Sequence, residues 1–303
     1  MVTTSQQPVQ SKTSSKGQPL LDVKNLTKHF PIKRGLLAKT VGHVKAVTDV
    51  SFTLNRGETL GLVGESGCGK TTIGRSILRL IEPSSGRVRF DGNEIQDLSH
   101  AELRPIRRRM QIIFQDPYSS LNPRMTVEQI IAEGLIVHKI GASADERRAL
   151  AVNPKFIVCD EAVSALDVSV QAQIINLMIE LQDRLHLTIV FVSHDLRVVR
   201  HLAHRVAVMY LGRVVELGPT EPLFRHPRHP YTAALIAAAP SLDFEHRNLA
   251  EAVRGELPSA HAIPAGCAFH PRCPRAIERC RRELPDARAL PDGRVVACHL
   301  PLD

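Results

Sequence analysis

The sequence predicts an α/β fold, in which a sheet with flanking helices carries nucleotide chemistry at its strand ends. Short apolar runs typical of strands alternate with stretches that fit helices. A glycine-rich loop follows one of these runs directly and opens a helical stretch. With 43% hydrophobic residues among 303, the chain is long enough to bury a sizeable core.

The predicted strands and the clearest helix follow from apolar patterning. The helix begins after Asp167, whose carboxylate suits an N-cap, and its apolar stripe predicts a helix packed on the core. That stripe consists of Val170, Ile174, Leu177, Met178, Leu181 and Leu185. The predicted strands are residues 20–23, 44–54, 59–63, 87–90, 111–114, 156–159, 188–192 and 205–209.

Composition divides the chain into three regions. Residues 1–19 are rich in Ser, Thr, Gln and Lys and predict a disordered tail. Residues 20–240 contain the α/β pattern, and residues 241–303 turn to Pro, Arg and Cys with little periodicity. No run is long enough to predict a membrane-spanning helix, and the start lacks the apolar core of a signal peptide. We therefore expect any membrane role to come through a partner.

The formal net charge of +8 suits nucleic acid, anionic lipid or an acidic ligand. Basic residues cluster at Arg104, at residues 107–109 and again over 272–282, although such clusters are more often solvated faces. Aromatic residues make up only 4% and there is no Trp, which leaves few stacking platforms for single-stranded nucleic acid. Charge alone therefore does not decide the function.

A phosphate-binding loop is predicted at GESGCGKT, which matches G-x-x-x-x-G-K-[ST]. The glycines let backbone N–H groups turn inward around phosphate oxygens, Lys70 reaches the outer phosphates, and the Thr71 hydroxyl ligates magnesium. The preceding strand and the following helix, residues 71–80, are the context that this motif requires. The candidate nucleotide-binding residues are Gly64, Glu65, Ser66, Gly67, Cys68, Gly69, Lys70, Thr71 and Thr72.

The second half of such a site needs a carboxylate for the metal and a base for water, and FIVCDE offers both at a strand end. Asp160 is predicted to hold magnesium, and Glu161 to polarise the attacking water as general base. His194 ends another apolar run and lies within reach of a γ-phosphate in this interpretation, although a lone His is more often structural. Gln115, also at a strand end, is predicted to complete the metal shell.

Four cysteines form a separate group near the end of the chain. Cys267, Cys273, Cys280 and Cys298 have the spacing C-x5-C-x6-C-x17-C, whereas Cys68 and Cys159 lie inside the nucleotide motifs. Four thiols in a Pro-rich segment of an intracellular chain indicate a metal site more than disulfides. The spacing lacks the C-x2-C pairs of ordinary zinc sites.

These residues together resemble the ATP-binding subunits of ABC transporters, and more narrowly those of bacterial oligopeptide and dipeptide importers. The resemblance extends from about residue 20 to the end of the chain. The segments that carry it are GESGCGKTT, FQDPYSSLNPRMTV, VCDEAVSALDVSVQAQ, FVSHDL, and the tail from HPYTAAL through GCAFHPRCP to ACHL. It implies a P-loop ATPase sheet with a helical subdomain and a small Cys-rich C-terminal extension.

The resemblance also implies roles and partners. Phe30 would stack on adenine, Gln115 would link the γ-phosphate to membrane subunits, and residues 164–167 would meet a second ATPase subunit. Two such subunits would close on two ATP molecules with magnesium and drive transmembrane permease subunits. The cargo would be a peptide delivered by an extracytoplasmic binding protein. The chain would then be peripheral to the cytoplasmic face of the membrane, with no nucleic-acid partner.

One family element is missing from the sequence. Members carry an LSGGQ-like signature between the glutamine loop and the aspartate strand, and here SADERR runs directly into ALAVNPKFIVCDE, as if a block were removed near Arg148. In a closed dimer each signature caps the partner's ATP with donors and a helix N-terminus. Ala162 stands where the family usually has Pro, so we expect a looser loop after Glu161.

Three functions follow from these observations. The first is an ATPase subunit of a peptide importer, and the second is a remnant or regulatory subunit that binds ATP but hydrolyses little. The third is a soluble P-loop ATPase acting on nucleic acid, which the few aromatic residues and the importer-like tail disfavour. For the four cysteines the alternatives are a 4Fe-4S cluster, as in some similar importer ATPases, zinc, and unmetallated thiols.

Overall fold

The computed structural model describes residues 18–35, 38–115, 154–164, 166–239 and 255–303. The predicted tail up to residue 17, the segment in which the block near Arg148 is missing, and the predicted boundary near residue 240 lie outside these residues. The described parts form two sheets with helices packed on them.

The strands belong to a smaller antiparallel sheet and a larger mixed sheet. The smaller sheet has the order β2-β1-β4-β5 and the larger sheet the order β11-β12-β10-β9-β3-β8-β7-β6. The strands are β1 (Leu21–Arg34), β2 (Lys39–Leu54), β3 (Thr59–Val63), β4 (Ser85–Phe90), β5 (Asn93–Glu94), β6 (Met110–Ile113), β7 (Phe156–Asp160), β8 (Thr188–Val192), β9 (Arg205–Tyr210), β10 (Arg213–Pro219), β11 (Arg288–Ala289) and β12 (Val295–Val296).

Helices connect or cover these strands. The longest follows Asp167, whose carboxylate accepts the backbone N–H groups of Ser169 and Val170 as an N-cap. The helices are α1 (Lys70–Ile77), α2 (His100–Arg107), α3 (Val168–Leu185), α4 (Leu196–Leu202), α5 (Thr220–Arg225), α6 (Pro230–Ala238) and α7 (Glu278–Arg282), with a short 3-10 helix at His270–Arg272. Among the described helices, none has the length and apolar character needed to cross a membrane.

The centre of the larger sheet is parallel. Strands β6, β7, β8, β3 and β9 pair in parallel, and every residue of β3 and β8 is buried. Such continuous apolar strands are expected where both faces of a sheet are covered. One face packs on α1 and the smaller sheet, and the other on α3, α4 and residues of the C-terminal extension, among them Phe269. The carboxyl ends of these strands form one edge, where the sequence motifs lie.

The described part of the C-terminal extension, residues 255–303, continues the larger sheet. Strand β12 pairs with β10, with Val296 opposite Glu216 and Val295 opposite Leu217. The backbone N–H of Ala297 also donates to the carbonyl of Val215 at 2.9 Å. The extension is therefore held to the nucleotide-binding part by backbone pairing as well as by side chains.

The predicted strands all appear, and β1 is longer than its predicted four residues because it pairs with both β2 and β4. The predicted apolar stripe of α3 is partly wrong. Val170, Leu177 and Leu185 are exposed, whereas Ile175 and Gln182 are buried. The buried face is rotated because the Gln182 amide donates to the Gly57 carbonyl and to the Thr59 hydroxyl, a polar anchor that hydrophobic spacing does not reveal.

Candidate functional site

The glycine-rich loop joins β3 to α1 at the carboxyl edge of the larger sheet. A side chain on Gly64 would lie 2.4 Å from the Met209 carbonyl oxygen, and one on Gly69 would lie 2.1 Å from the Ala46 carbonyl oxygen. Both residues have positive φ, 151° and 106°, which favours glycine. The carbonyl groups of Met209 and Ala46 therefore pack closely against the loop, and only glycine fits at these two positions.

Lys70 is the first residue of α1 and its side chain is buried. Its Nζ donates to the carbonyls of Gly64 at 2.9 Å and Glu65 at 3.1 Å, and lies 4.0 Å from the Cys68 Sγ. The ammonium group is thus held inside the loop that it is predicted to share with phosphate. Ser66 and Gly67 are exposed at the tip of this loop, and the half-buried Thr72 follows in α1.

Thr71 and Asp160 meet across 89 positions of sequence. The Thr71 Oγ1 donates to Asp160 Oδ1 at 2.7 Å. The other carboxylate oxygen, Oδ2, is buried without a hydrogen bond among the described residues, and its nearest cation is the Arg75 guanidinium at 3.6 Å. The Thr71 hydroxyl and the Asp160 carboxylate are hard oxygen donors of the kind that Mg²⁺ prefers. These residues therefore fit the predicted magnesium ion.

Glu161 lies directly after β7 in a left-handed conformation, with φ 51°. Side chains rarely adopt this conformation, and it recurs at functional sites. Its carboxylate accepts a hydrogen bond from the Gln115 amide at 2.9 Å, and its other oxygen lies 3.6 Å from Nδ1 of His194, an exposed side chain. The turn that follows, including Ala162, is closed by the Ser164 N–H and hydroxyl, which both donate to the Glu161 carbonyl.

Two further predicted positions lie around this edge. Phe30 is half-buried in β1 opposite Val44 of β2, with Lys28 Nζ 5.0 Å from its ring centroid. The same stretch of β2 reaches the loop, since the Ala46 carbonyl abuts Gly69. Of the predicted subunit contact at 164–167, Asp167 caps α3, while residue 165 lies outside the described residues.

The sequence motifs did not predict that Glu65 of the phosphate loop contacts two distant residues, Arg272 and Tyr231. Arg272, in the 3-10 helix of the C-terminal extension, forms two hydrogen bonds with the carboxylate of Glu65, at 2.9 and 3.1 Å. The hydroxyl of Tyr231 accepts the backbone N–H of Glu65 at 3.1 Å. The partners are separated by up to 207 positions, so no local pattern indicates the contact. The only sequence signal is the position of Arg272 inside HPRCP, one residue before a cysteine.

The four cysteines of the extension line one small cavity, together with His270 and His299. Burial raises the pKa of Cys267 to about 11 and also raises the pKa values of Cys273 and Cys298. The backbone N–H of Cys267 donates to the carbonyl of Cys280 at 2.8 Å. Within the described part of the chain, no three His, Cys, Asp or Glu side chains form a group suited to a metal ion. The thiols are neighbours, but they do not form a preorganised mononuclear metal site.

Comparison with known proteins gives two family matches. The family described as ABC transporter matches residues 47–153, and the family described as oligopeptide/dipeptide transporter, C-terminal region, matches residues 215–280. The first match contains the phosphate loop, and the second contains three of the four cysteines of the extension, Cys267, Cys273 and Cys280.

Similar curated proteins cover nearly the whole chain. A probable peptide ABC transporter ATP-binding protein of Sinorhizobium fredii is 51% identical over 93% of this chain and 90% of its own length. An oligopeptide transport ATP-binding protein of Bacillus subtilis is 43% identical over 95% of this chain and 99% of its own length. The first alignment spans 316 residues, more than the 303 of this chain, so it contains positions that this chain lacks.

Solved structures with the same architecture are ATP-binding cassettes. CbiO1 from Clostridium perfringens, part of an ABC transporter complex, is 25% identical with a TM-score of 0.57, covering 69% of this chain and 92% of that one. A cassette solved as a dimer in a post-hydrolysis state with ADP and Pi is 26% identical with a TM-score of 0.56, covering 66% and 99%. The fold predicted from the sequence is therefore confirmed.

Proposed function

Because this chain belongs to the ABC-transporter ATP-binding subunits of the peptide-import family, we propose that it binds magnesium-ATP and energises the import of oligopeptides or dipeptides. The observation that carries the proposal is the 2.7 Å contact between Thr71 and Asp160. It brings the hydroxyl of the phosphate loop to the Asp160 carboxylate of β7, whose second oxygen has no hydrogen bond among the described residues. Thr71 and Asp160 would hold magnesium there, and the ion would supply positive charge against the negative charge that develops during hydrolysis.

The residues around this point have distinct proposed roles. Lys70 binds the outer phosphates, and the N–H groups of residues 64–69 surround them. Glu161 is the general base for the attacking water, oriented by Gln115 at 2.9 Å. His194, exposed and 3.6 Å from Glu161, contacts the γ-phosphate in this proposal. Phe30 is proposed to stack on adenine.

The proposed partners follow from the family. Relatives are named peptide import or oligopeptide transport ATP-binding proteins, and a similar cassette is solved as a dimer. We propose that this chain pairs with a second ATPase subunit and acts on transmembrane permease subunits that receive peptide from an extracytoplasmic binding protein. The chain would be peripheral to the cytoplasmic face of the membrane.

A second candidate function is a nucleotide-binding subunit that hydrolyses little. The missing LSGGQ-like segment favours it, because the partner's ATP would lose the donors that cap its γ-phosphate. Both functions require ATP binding, but only the first requires ATP hydrolysis. Measuring magnesium-ATP affinity together with phosphate release therefore separates them.

The test is Glu161→Gln, measured for magnesium-ATP affinity and for phosphate release, alone and with an intact partner subunit. Removing the base is expected to lower turnover by about 10²- to 10⁴-fold. Affinity should stay within about threefold, since Glu161 is not placed on the phosphates. The matched control is Glu180→Gln on the exposed face of α3, which should behave as the wild type.

Three outcomes are distinguishable. Turnover that disappears only in Glu161→Gln supports the importer ATPase. Tight binding without turnover above the variant supports the non-hydrolysing subunit. An absence of magnesium-dependent ATP binding contradicts both.

The cysteine group and the domain division remain proposals. We propose that residues 20–240 form the ATP-binding domain and residues 241–303 an extension with one four-thiol site. The shared cavity of Cys267, Cys273, Cys280 and Cys298 supports a common ligand. The alternatives for the four thiols are a 4Fe-4S cluster, zinc and unmetallated thiols. Iron, sulfide and zinc contents of the purified chain separate these alternatives.

A further inference from the structure

The C-terminal extension binds the phosphate loop directly through one ion pair. Arg272 Nη1 and Nη2 donate to the two carboxylate oxygens of Glu65 at 2.9 and 3.1 Å, a bidentate arrangement. The Arg272 side chain is 6% exposed and the Glu65 side chain 25%. A pair shielded from water to this degree is screened far less than a surface pair.

Every polar group of Glu65 has a partner in the structure. The carboxylate binds Arg272, the backbone N–H donates to the Tyr231 hydroxyl at 3.1 Å, and the carbonyl accepts from Lys70 Nζ at 3.1 Å. The carbonyl also accepts the N–H of Cys68 at 3.3 Å. Glu65 is therefore the residue through which the extension, α6 and the phosphate-binding lysine meet.

Arg272 is itself held in place by the extension and by the sheet. Its guanidinium lies 5.8 Å from the Tyr210 ring centroid, and it donates to the Tyr210 hydroxyl at 3.4 Å and to the Gly255 carbonyl at 3.0 Å. Its backbone N–H donates to the Phe269 carbonyl at 3.0 Å, which closes the 3-10 helix that runs into Cys273. The position of the guanidinium thus depends on the fold of the cysteine segment.

The aromatic side chains beneath the pair make it rigid. The rings of Tyr210, Tyr231 and Phe269 pack edge to face, with centroids 4.7 to 5.3 Å apart, and all three are buried. Buried aromatic clusters transmit displacement because close-packed interiors deform little. We therefore expect a displacement of the extension to move Glu65, because the aromatic cluster between the extension and Glu65 deforms little.

We propose that Arg272 is a positioning residue for the phosphate loop, so that the C-terminal extension sets the affinity of the loop for nucleotide. The part concerning nucleotide rests on the function proposed above, whereas the part concerning loop conformation does not. Without Arg272, the Glu65 carboxylate keeps its charge but loses its bidentate partner, and the loop gains conformations that do not match the phosphates. Binding then carries the additional free energy of ordering the loop.

The experiment compares Arg272→Ala, Arg272→Lys and the wild type in the full-length chain with two readouts. The first is the rate of iodoacetamide labelling of each cysteine, mapped by peptide mass spectrometry without nucleotide. Cys68, 1% exposed, is a buried residue of the loop and reports its opening, whereas Cys159, 0% exposed within β7, reports global unfolding. The second is the dissociation constant for magnesium-ATP. Arg282→Ala, an exposed arginine of α7, is the matched control.

In Arg272→Ala we expect Cys68 labelling to accelerate about tenfold with Cys159 unchanged, and magnesium-ATP binding to weaken about tenfold. Arg272→Lys restores the charge without the bidentate geometry and should be intermediate in both readouts. Unchanged Cys68 labelling, or equal acceleration at Cys68 and Cys159, overturns the proposal, the second result meaning that Arg272 only stabilises the fold.

The affinity readout separates this proposal from the proposed function. Selective opening at Cys68 with unchanged ATP affinity overturns the control of affinity by the extension. A wild-type chain that binds no ATP contradicts the proposed function, and the labelling data then decide the positioning role by themselves.

Discussion

The nucleotide edge and the C-terminal extension are built in opposite ways. At the edge, residues 64–71 form a single loop and helix start in which Lys70 donates to the carbonyls of Gly64 and Glu65, five or six positions away in sequence. In the extension, the 3-10 helix and β12 are held by partners far away in the chain, among them Glu65 and Glu216. The first region is identified by a local sequence motif, whereas the second depends on pairing with the sheet to which it is attached.

This difference teaches where sequence motifs carry information. A phosphate loop needs particular residues at fixed spacing because backbone N–H groups must converge within one turn. The extension is held by side chains that reach partners elsewhere in the fold. The spacing of its residues along the sequence is therefore less constrained, and it carries a weaker sequence motif. The two regions are nevertheless joined where Arg272 of the extension pairs with Glu65 of the loop. Substitutions in one region therefore test how far the other depends on it.

The largest expected effect is that of Lys70→Ala on nucleotide binding. The variant removes the ammonium group predicted to bind the outer phosphates, and magnesium-ATP affinity should fall by roughly 100-fold, the scale of hydrogen bonds to charged groups. Affinity is measured by isothermal titration calorimetry, with Lys24→Ala, an exposed lysine, as the control. The labelling of Cys267, Cys273, Cys280 and Cys298 should not change. If Lys70→Ala both abolished ATP binding and accelerated the labelling of these four cysteines, the nucleotide edge and the extension would fold as one unit.

A smaller effect is expected from Arg294→Ala in the extension. The buried Arg294 lies 3.7 Å from the buried Glu216, donates to the carbonyls of Pro222 and His226, and pairs with Asp292. Removing one partner leaves the Glu216 carboxylate buried without its cation, so the free energy of unfolding should fall by about 3 kcal/mol.

Urea denaturation measures this change, with the exposed Arg281→Ala as the control. Magnesium-ATP affinity, measured on the folded variant, should remain within about threefold of the wild type if only stability is affected. A change below about 0.5 kcal/mol, the range of ordinary surface substitutions, would contradict the interpretation of Arg294 as a buried structural cation.

Much of the fold could be predicted because its strands are buried on both faces. Continuous apolar runs such as Thr59–Val63 and Thr188–Val192 identify the central strands from their own sequence. Strands β11 and β12 have two residues each and depend on pairing with β10, so no periodicity identifies them. The buried face of α3 was predicted wrongly at Leu177 because a polar residue, Gln182, anchors the helix.

The candidate site could be predicted where a motif carries the chemistry. The structure brings Lys70, Thr71, Asp160, Glu161 and Gln115 to one edge of the sheet, and their roles there remain predictions. The Arg272 to Glu65 pair could not be predicted because neither residue has a distinctive pattern for it and the tertiary fold alone brings them together.

The smallest expected effect is a pH dependence from His229, which is fully buried at the start of α6. Its Nδ1 accepts the N–H of Tyr231 at 3.0 Å, so the ring caps the helix in its neutral form. Burial lowers its pKa to about 3, whereas in the unfolded chain an ordinary value of about 6.5 applies. Below pH 6.5 the unfolded state binds the additional proton, so stability is present above that pH and is lost as pH falls towards 3.

His229→Asn keeps an N-cap acceptor and removes this proton, so the variant should lose less stability than the wild type between pH 7 and pH 5. The difference in slope is at most about 1.4 kcal/mol per pH unit, the limit for one proton. Burial raises the pKa of Glu216, which accepts the His229 N–H and shifts stability in the opposite direction in both proteins. Urea titrations at each pH measure the difference, with the exposed His261→Asn as control. Parallel wild-type and His229→Asn curves would mean that the pKa of His229 is the same in the folded and the unfolded chain, which contradicts a folded His229 held neutral by burial.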